Sequence, residues 1–249
     1  MAVNLLKKAK RLLKRRHNAK KIGLYYQRGS TWKIPSHITI AGKKIKLDLN
    51  NDLATGVSLI DIFLDDDYGL NFFSSSLKNV KTIVDIGANQ GLFTLAAYNT
   101  FGAKIYAYEP NYEVFAKLKY HCSFCDADAY NQAVGLENSK VELQPGADSL
   151  HGKTIYSETG EIEQVSFSSI IKKAGSNIDL LKLDCEGAEW QILQDDESLK
   201  GVRAITLEYH TNDKNGHNRI KHILENANFK LIRHEPTGPT WGMAWGIKC

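Results

Sequence analysis

Three carboxylates, Asp184, Glu186 and Glu189, crowd one end of the string LLKLDCEGAEW, Leu180 to Trp190. The apolar run before them reads as a buried strand, so the acids stand at its exit. Gathering like charges there costs desolvation and mutual repulsion, and a functional role is therefore expected. Further along, Glu208 and His210 close the strand-like run AITLEYH. Strand alternation puts both on one face, pointing together toward a cleft. Earlier in the chain, VDIGANQG (Val84 to Gly91) ends a strand at Asp85, and Gly87 and Gly91 bracket a turn containing Asn89 and Gln90. Glycine at such points lets the backbone pass close to a ligand, and the helix that follows presents free N–H groups and a positive dipole end. Glu109, in YAYEP, lies 24 residues after Asp85 at the end of the next strand. An acid there accepts hydrogen bonds from both hydroxyls of a ribose and repels a 2′-phosphate. In NQAVG, the backbone of Gln132 and Ala133 is placed to read the edge of an adenine ring.

In this order and spacing, VDIGANQG, YAYEPN, NQAVG and LLKLDCEGAEW resemble the FkbM family of S-adenosylmethionine (SAM)-dependent O-methyltransferases. The resemblance covers about residues 55–247, and the K-x-D-x-E-G-x-E string from Lys182 to Glu189 is its most discriminating part. It implies a seven-stranded class I methyltransferase fold, SAM as cofactor, and activity on hydroxyls of sugars and natural products. Asp85, Gly87, Asn89 and Gly91 match the loop that holds the methionine part of SAM, and Gln90 is taken with them. Glu109 matches the ribose acid, and Asp184 falls where the family motif meets the cofactor amine and the substrate. The chain departs from the pattern at Ser168-Ser169, where relatives carry a Leu-Asp pair, so no acid there is given a role.

Methyl transfer from a sulfonium is an in-line displacement for which a protein supplies alignment and electrostatics. A hydroxyl acceptor also needs a general base. His210 is the first candidate by its intrinsic pKa, with a neighbouring carboxylate to orient it. Asp184 or Glu186 as base, a metal-assisted hydroxyl, and a purely structural Glu208 and His210 are the alternatives. No metal-ligand set is assigned. The expected acceptor is a sugar, glycan or glycosylated natural product. The competing readings are a non-carbohydrate acceptor, an NAD-dependent oxidoreductase on the same loop, and a membrane- or polymer-associated binding module.

These residues need a scaffold, and the rest of the chain reads as an α/β fold. From residue 80, strands alternate with helices, which means a parallel sheet with right-handed crossovers. The last two strands are joined only by PTGP, too short for a crossover, so they must be antiparallel. The chain divides into a basic amphipathic helix (1–22), an extension with a β-hairpin and short helices (23–79) and a SAM-binding domain (80–249). The irregular stretch 137–166 is expected to contribute to a substrate pocket.

Residues 1–21 hold nine Lys or Arg and no acid, leaving 23 basic against 28 acidic residues in the remainder. A mildly acidic body argues against a nucleic-acid-binding core. Leu5, Leu6, Ala9, Leu12 and Leu13 fall at helical spacing, and are expected to pack onto the body or a second subunit, with an anionic membrane as the alternative. Lys and Arg interrupt every apolar pair, which argues against a secretory signal. Four scattered cysteines suit a reduced, cytoplasmic protein. Asp65, Asp66 and Asp67 are expected in a solvated loop. Cys122 and Cys125 are expected to be structural, and Trp241 and Trp245 to pack on one face of the final strand.

Overall fold

The computed structural model describes residues 2–26, 34–144, 153–211 and 215–249. An N-terminal helix, α1 (Ala2–Lys21), precedes a hairpin of β1 (His37–Ile40) and β2 (Lys43–Lys46). Helix α2 (Leu53–Leu59), capped by the Asp52 carboxylate, runs into a π-helical segment at Ile60–Asp65, and α3 (Leu70–Ser76) follows. Then come β3 (Thr82–Ile86), α4 (Leu92–Phe101), β4 (Lys104–Tyr108), α5 (Tyr112–Cys122) and β5 (Ala127–Tyr130). A small sheet is built from β6 (Ala133–Gly135), β7 (Ser139–Gln144), β8 (Lys153–Tyr156) and β9 (Ile162–Ser166). The chain returns through α6 (Phe167–Lys173), β10 (Leu180–Leu183), the short helices α7 (Glu189–Ile192) and α8 (Asp196–Leu199), and β11 (Ala204–His210). It ends with α9 (Gly216–Asn226), β12 (Phe229–Pro236) and β13 (Trp241–Lys248).

The main sheet has seven strands in the order β12-β13-β11-β10-β3-β4-β5. β13 runs antiparallel to both β11 and β12, and the other pairs are parallel. The expected α/β architecture, with its closing antiparallel hairpin, is therefore present. Central strands covered on both faces must be apolar on both. Ile83 and Leu180 face the layer of α3, α4 and the hairpin, whereas Val84, Leu181 and Leu183 face that of α6 and α9.

The run AYNQAVG breaks after Tyr130, and β6 leaves the main sheet to pair with β9. Three expectations change. Residues 137–166 are ordered as β7, β8 and β9 where described, with residues 145–152 outside the described set. Asp65 and Asp66 are buried rather than solvated: Asp65 receives Arg11 and Arg15, and Asp66 accepts from Asn71. Finally, α1 docks by its basic side. Besides the two arginines, Lys14 donates to the Asp65 carbonyl and Asn18 to that of Leu64. Leu13 is 64% exposed and Leu12 half-buried, and the side chains of Leu5 and Leu6 lie outside those described. The buried Asp65 carboxylate, which needs a cationic partner, thus turns the Arg11–Arg15 side of α1 inward.

Candidate active site

Parallel strands deliver their carboxyl ends to one edge of the sheet, and a cavity of about 1120 Å³ opens there. This exceeds the usual single-ligand pocket of roughly 300–1,000 Å³, leaving room for a cofactor and an acceptor together. The loop between β3 and α4 forms one wall. Gly87 (φ +76°), Asn89 (φ +48°) and Gly91 (φ +87°) take left-handed conformations that fold it tightly. At Gly87 the requirement is absolute, because a Cβ would lie 1.7 Å from the Asp184 carbonyl oxygen.

Gly87, Asn89, Gln90, Glu109, Gln132, Ala133, Asp184, Glu186, Glu208 and His210 all line the cavity. Asp85 and Gly91 do not. Asp85 is fully buried beneath the loop, where Thr94 donates to it at 2.6 Å and Lys182 Nζ sits 3.2 Å away. Its role is to brace the loop rather than touch a ligand. Gly91 lets the loop close on α5, with a Cβ there 3.1 Å from Leu118 and 3.3 Å from His121.

Sequence reasoning gave no role to Lys182 or Tyr68. Lys182, 3% exposed on β10, donates to the Gly87 carbonyl at 2.6 Å and lies 3.7 Å from Asp184. Burial would lower its pKa, but Asp85 and Asp184 more than compensate and keep it charged. A lysine inside an apolar strand is the signal that could have found it. Tyr68 donates to Asp184 Oδ2 at 2.6 Å from 116 residues away, and nothing local announces it. Buried, and facing Asp184 and Glu208, its phenol is held well above its usual pKa and stays neutral.

The loop amides are spent internally. Gly87 and Ala88 donate to the Tyr108 carbonyl, Asn89 to Glu109 Oε2, Gln90 to the Asn89 side chain, and Gly91 to the Ala88 carbonyl. The five amides from Gly87 to Gly91 are thus taken up in folding the loop onto Tyr108 and Glu109. Glu109 also accepts from Asn111, and each of its oxygens keeps a second lone pair for a ribose hydroxyl. Burial raises its pKa to about 7 against the lowering by those two amides. A wall bearing the Glu109 and Asp184 carboxylates fits the ribose and the cationic amine of SAM.

At the far side, Glu189 holds the β10 exit. Its fully buried carboxylate accepts from the amides of Cys185 at 2.7 Å and Gly187 at 2.8 Å. This clamp supports Glu186 in the left-handed region (φ +56°). Trp190, under the Arg219 guanidinium, ties the turn to the end of β11 by donating to the His210 carbonyl. His210 Nε2 lies 3.5 Å from Glu208 and 3.6 Å from Glu186, and Nδ1 lies 3.8 Å from Glu189. Burial alone would lower the imidazole pKa, but Glu189, Glu208 and Glu186 outweigh it and raise it to about 11. The carboxylates around His210 thus favour its imidazolium form, which suits it to orient a carboxylate base. Burial and the charge of Asp184 raise the pKa of Glu208 against the lowering by His210. Asp184, Glu186 and His210 each offer a ligand atom within 4.8 Å of one another, a spacing that a divalent cation could also bridge.

Two side features resolve simply. The Cys122 and Cys125 thiols, raised to about 12 chiefly by burial, are inert packing groups. Trp245 packs against Phe72 and Phe73 and donates to the Asp67 carbonyl, whereas Trp241 lines the cavity.

The methyltransferase FkbM domain model matches residues 85–231, more than half of the chain. No curated protein matches the sequence. Among solved structures, the N-terminal domain of EvdMO1 with SAH bound aligns at TM-score 0.47 and 13% identity, over 73% of this chain and 79% of that one. The precorrin-6y C5,15-methyltransferase from Geobacter metallireducens GS-15 aligns at TM-score 0.45 and 11% identity, over 72% and 87%. A SAM-dependent methyltransferase from Aquifex aeolicus aligns at TM-score 0.44 and 15% identity, over 74% and 90%. The chain belongs to the FkbM methyltransferase family, and SAM is its methyl donor.

Proposed function

We propose that the enzyme transfers a methyl group from SAM to a hydroxyl of a sugar, glycan or glycosylated natural product. The observation that carries this reading is the convergence of Glu208, His210 and Asp184 on the cavity wall, at the strand ends beside the cofactor loop. A buried carboxylate with a raised pKa, beside a fixed imidazolium, can take the proton of a neutral hydroxyl. Trp241 and Thr240 on the same wall add an aromatic face and a hydroxyl of the kind that sugars use. Four unpaired cysteines favour action in the reducing cytoplasm.

When bound, SAM supplies an electrophilic methyl carbon. Glu109 holds the ribose end, and Asp184, fixed by Tyr68 and Lys182, receives the cationic amine. Bound there, SAM would give its methyl group to the acceptor oxygen, the sulfur leaving as a neutral thioether. Glu208 takes the hydroxyl proton as this happens. His210 keeps Glu208 oriented and ionised until then, and so acts through it. Comparative mass spectrometry of glycans from cells with and without the gene tests the reading. A sugar one methylene lighter in the deleted strain supports it, and an unchanged glycan pool with a changed amine or protein pool refutes it.

A further inference from the structure

The face that α1 turns to solvent is chemically distinct from the one it docks. At about 100° per residue, the Asp65-facing side (Arg11, Lys14, Arg15, Asn18) lies opposite Ala9, Leu13, Arg16 and Lys20. The last four are all exposed, and neither Arg16 nor Lys20 makes an ion pair among the described residues. At the helix edge, Lys10 and Lys14 line the active-site cavity together with Leu53 and Val57 of α2. Those two apolar side chains are 84% and 46% exposed. The cavity mouth, edged by Lys10, Leu53 and Val57, thus adjoins an outer side of α1 that exposes Leu13, Arg16 and Lys20.

From this surface we infer that the protein docks on an anionic lipid bilayer, with α1 lying in the headgroup region and the cavity mouth facing the membrane. The charge is complementary: residues 1–21 carry nine cations and no acid. Leucine and valine give the short apolar insertion that a headgroup layer accepts and a nucleic acid does not. A second copy is the poorer partner, since a two-fold contact through this face would set cations against the same cations. Among the described residues no helix is long and apolar enough to cross a membrane, so docking is peripheral. On the methyltransferase reading, the transfer site would then receive its acceptor from the membrane surface.

The test uses the full chain and needs neither SAM nor turnover, so its failure leaves the methyltransferase reading standing. Vesicles of phosphatidylcholine alone, and with roughly a third phosphatidylglycerol, are pelleted with the protein at about 0.1 M and about 0.5 M salt. The wild type should pellet with the anionic vesicles only, and less at high salt. Each cation at an anionic surface is worth about fivefold in binding, so Arg16→Glu with Lys20→Glu should weaken it by about twenty-fivefold or more. Leu53→Asp with Val57→Asp should also weaken it, because the mouth meets the surface, and undiminished binding would refute that orientation. All four side chains are exposed, so melting temperatures should hold. Equal pelleting with both vesicle types, undiminished binding of the charge-reversed variant, or a vesicle-independent dimer abolished by the same reversal would each overturn the proposal.

Discussion

Replacing Gly87 by alanine tests the link between the cofactor loop and the catalytic strand end. Two penalties act at this position. A left-handed alanine costs roughly 1–2 kcal/mol wherever it occurs. The second is specific: the new Cβ would stand 1.7 Å from the Asp184 carbonyl oxygen and 2.6 Å from its carbon. Both are backbone atoms, so no rotamer change relieves the contact. The β10 exit must retreat by roughly 1.5 Å to restore van der Waals distance, carrying the Asp184 carboxylate away from Tyr68 and the transfer site. A shift of about 1 Å at a reacting centre costs on the order of a hundredfold in rate. Gly102→Ala is the control, because Gly102 has φ +61° with nothing within 4 Å of its missing Cβ. That variant should lose the backbone penalty alone and keep turnover. Thermal melts and single-turnover methyl transfer on both variants separate the two effects. If Gly87→Ala melts and reacts like Gly102→Ala, the coupling between loop and strand is wrong.

Three further outcomes follow from the same geometry. Glu109 is best able to accept from a ribose when ionised, and its pKa stands at about 7. SAM affinity measured calorimetrically should fall by up to about tenfold per pH unit below that value, and Glu109→Gln should flatten the profile. Burial raises the Asp65 pKa, but Arg15 and Arg11 reverse this and hold it below the usual carboxylate value. The α1 contact thus stabilises the fold above the unfolded pKa of about 4 and loses this contribution as pH falls through the lowered folded value. Asp65→Asn should cost about 1–3 kcal/mol at neutral pH, read from denaturant unfolding, with a shrinking difference from wild type in acid. With His210 as the resident cation among Glu186, Glu189 and Glu208, turnover should survive a chelator. Loss of activity restored by a divalent metal would give that place to a metal ion instead.

The parts of the site written in short contiguous strings were legible before any coordinates. The glycine loop, Glu109 and the β10 exit each carry their chemistry within a few residues, and strand alternation was enough to put Glu208 and His210 together. Long-range geometry was not legible. Tyr68 reaches Asp184 across 116 residues, and Asp85 could be told from a ligand-binding residue only once Lys182 and Thr94 were seen to enclose it. Charge environment was equally hidden: an isolated histidine suggests a base, whereas three facing carboxylates favour its cation. The helical period of α1 was plain, but which side would dock depended on Asp65, whose burial no local pattern foretold.

The central claim is that a hydroxyl receives the methyl group and Glu208 takes its proton. The most direct measurement incubates the purified enzyme with methyl-labelled SAM and a panel of sugars, glycans and amines, then locates the label by mass spectrometry. Label should appear on a sugar oxygen, and Glu208→Gln should slow its appearance by about 10²–10⁴-fold while SAM affinity is kept. Label on nitrogen, or a Glu208→Gln enzyme as fast as the wild type, would contradict it.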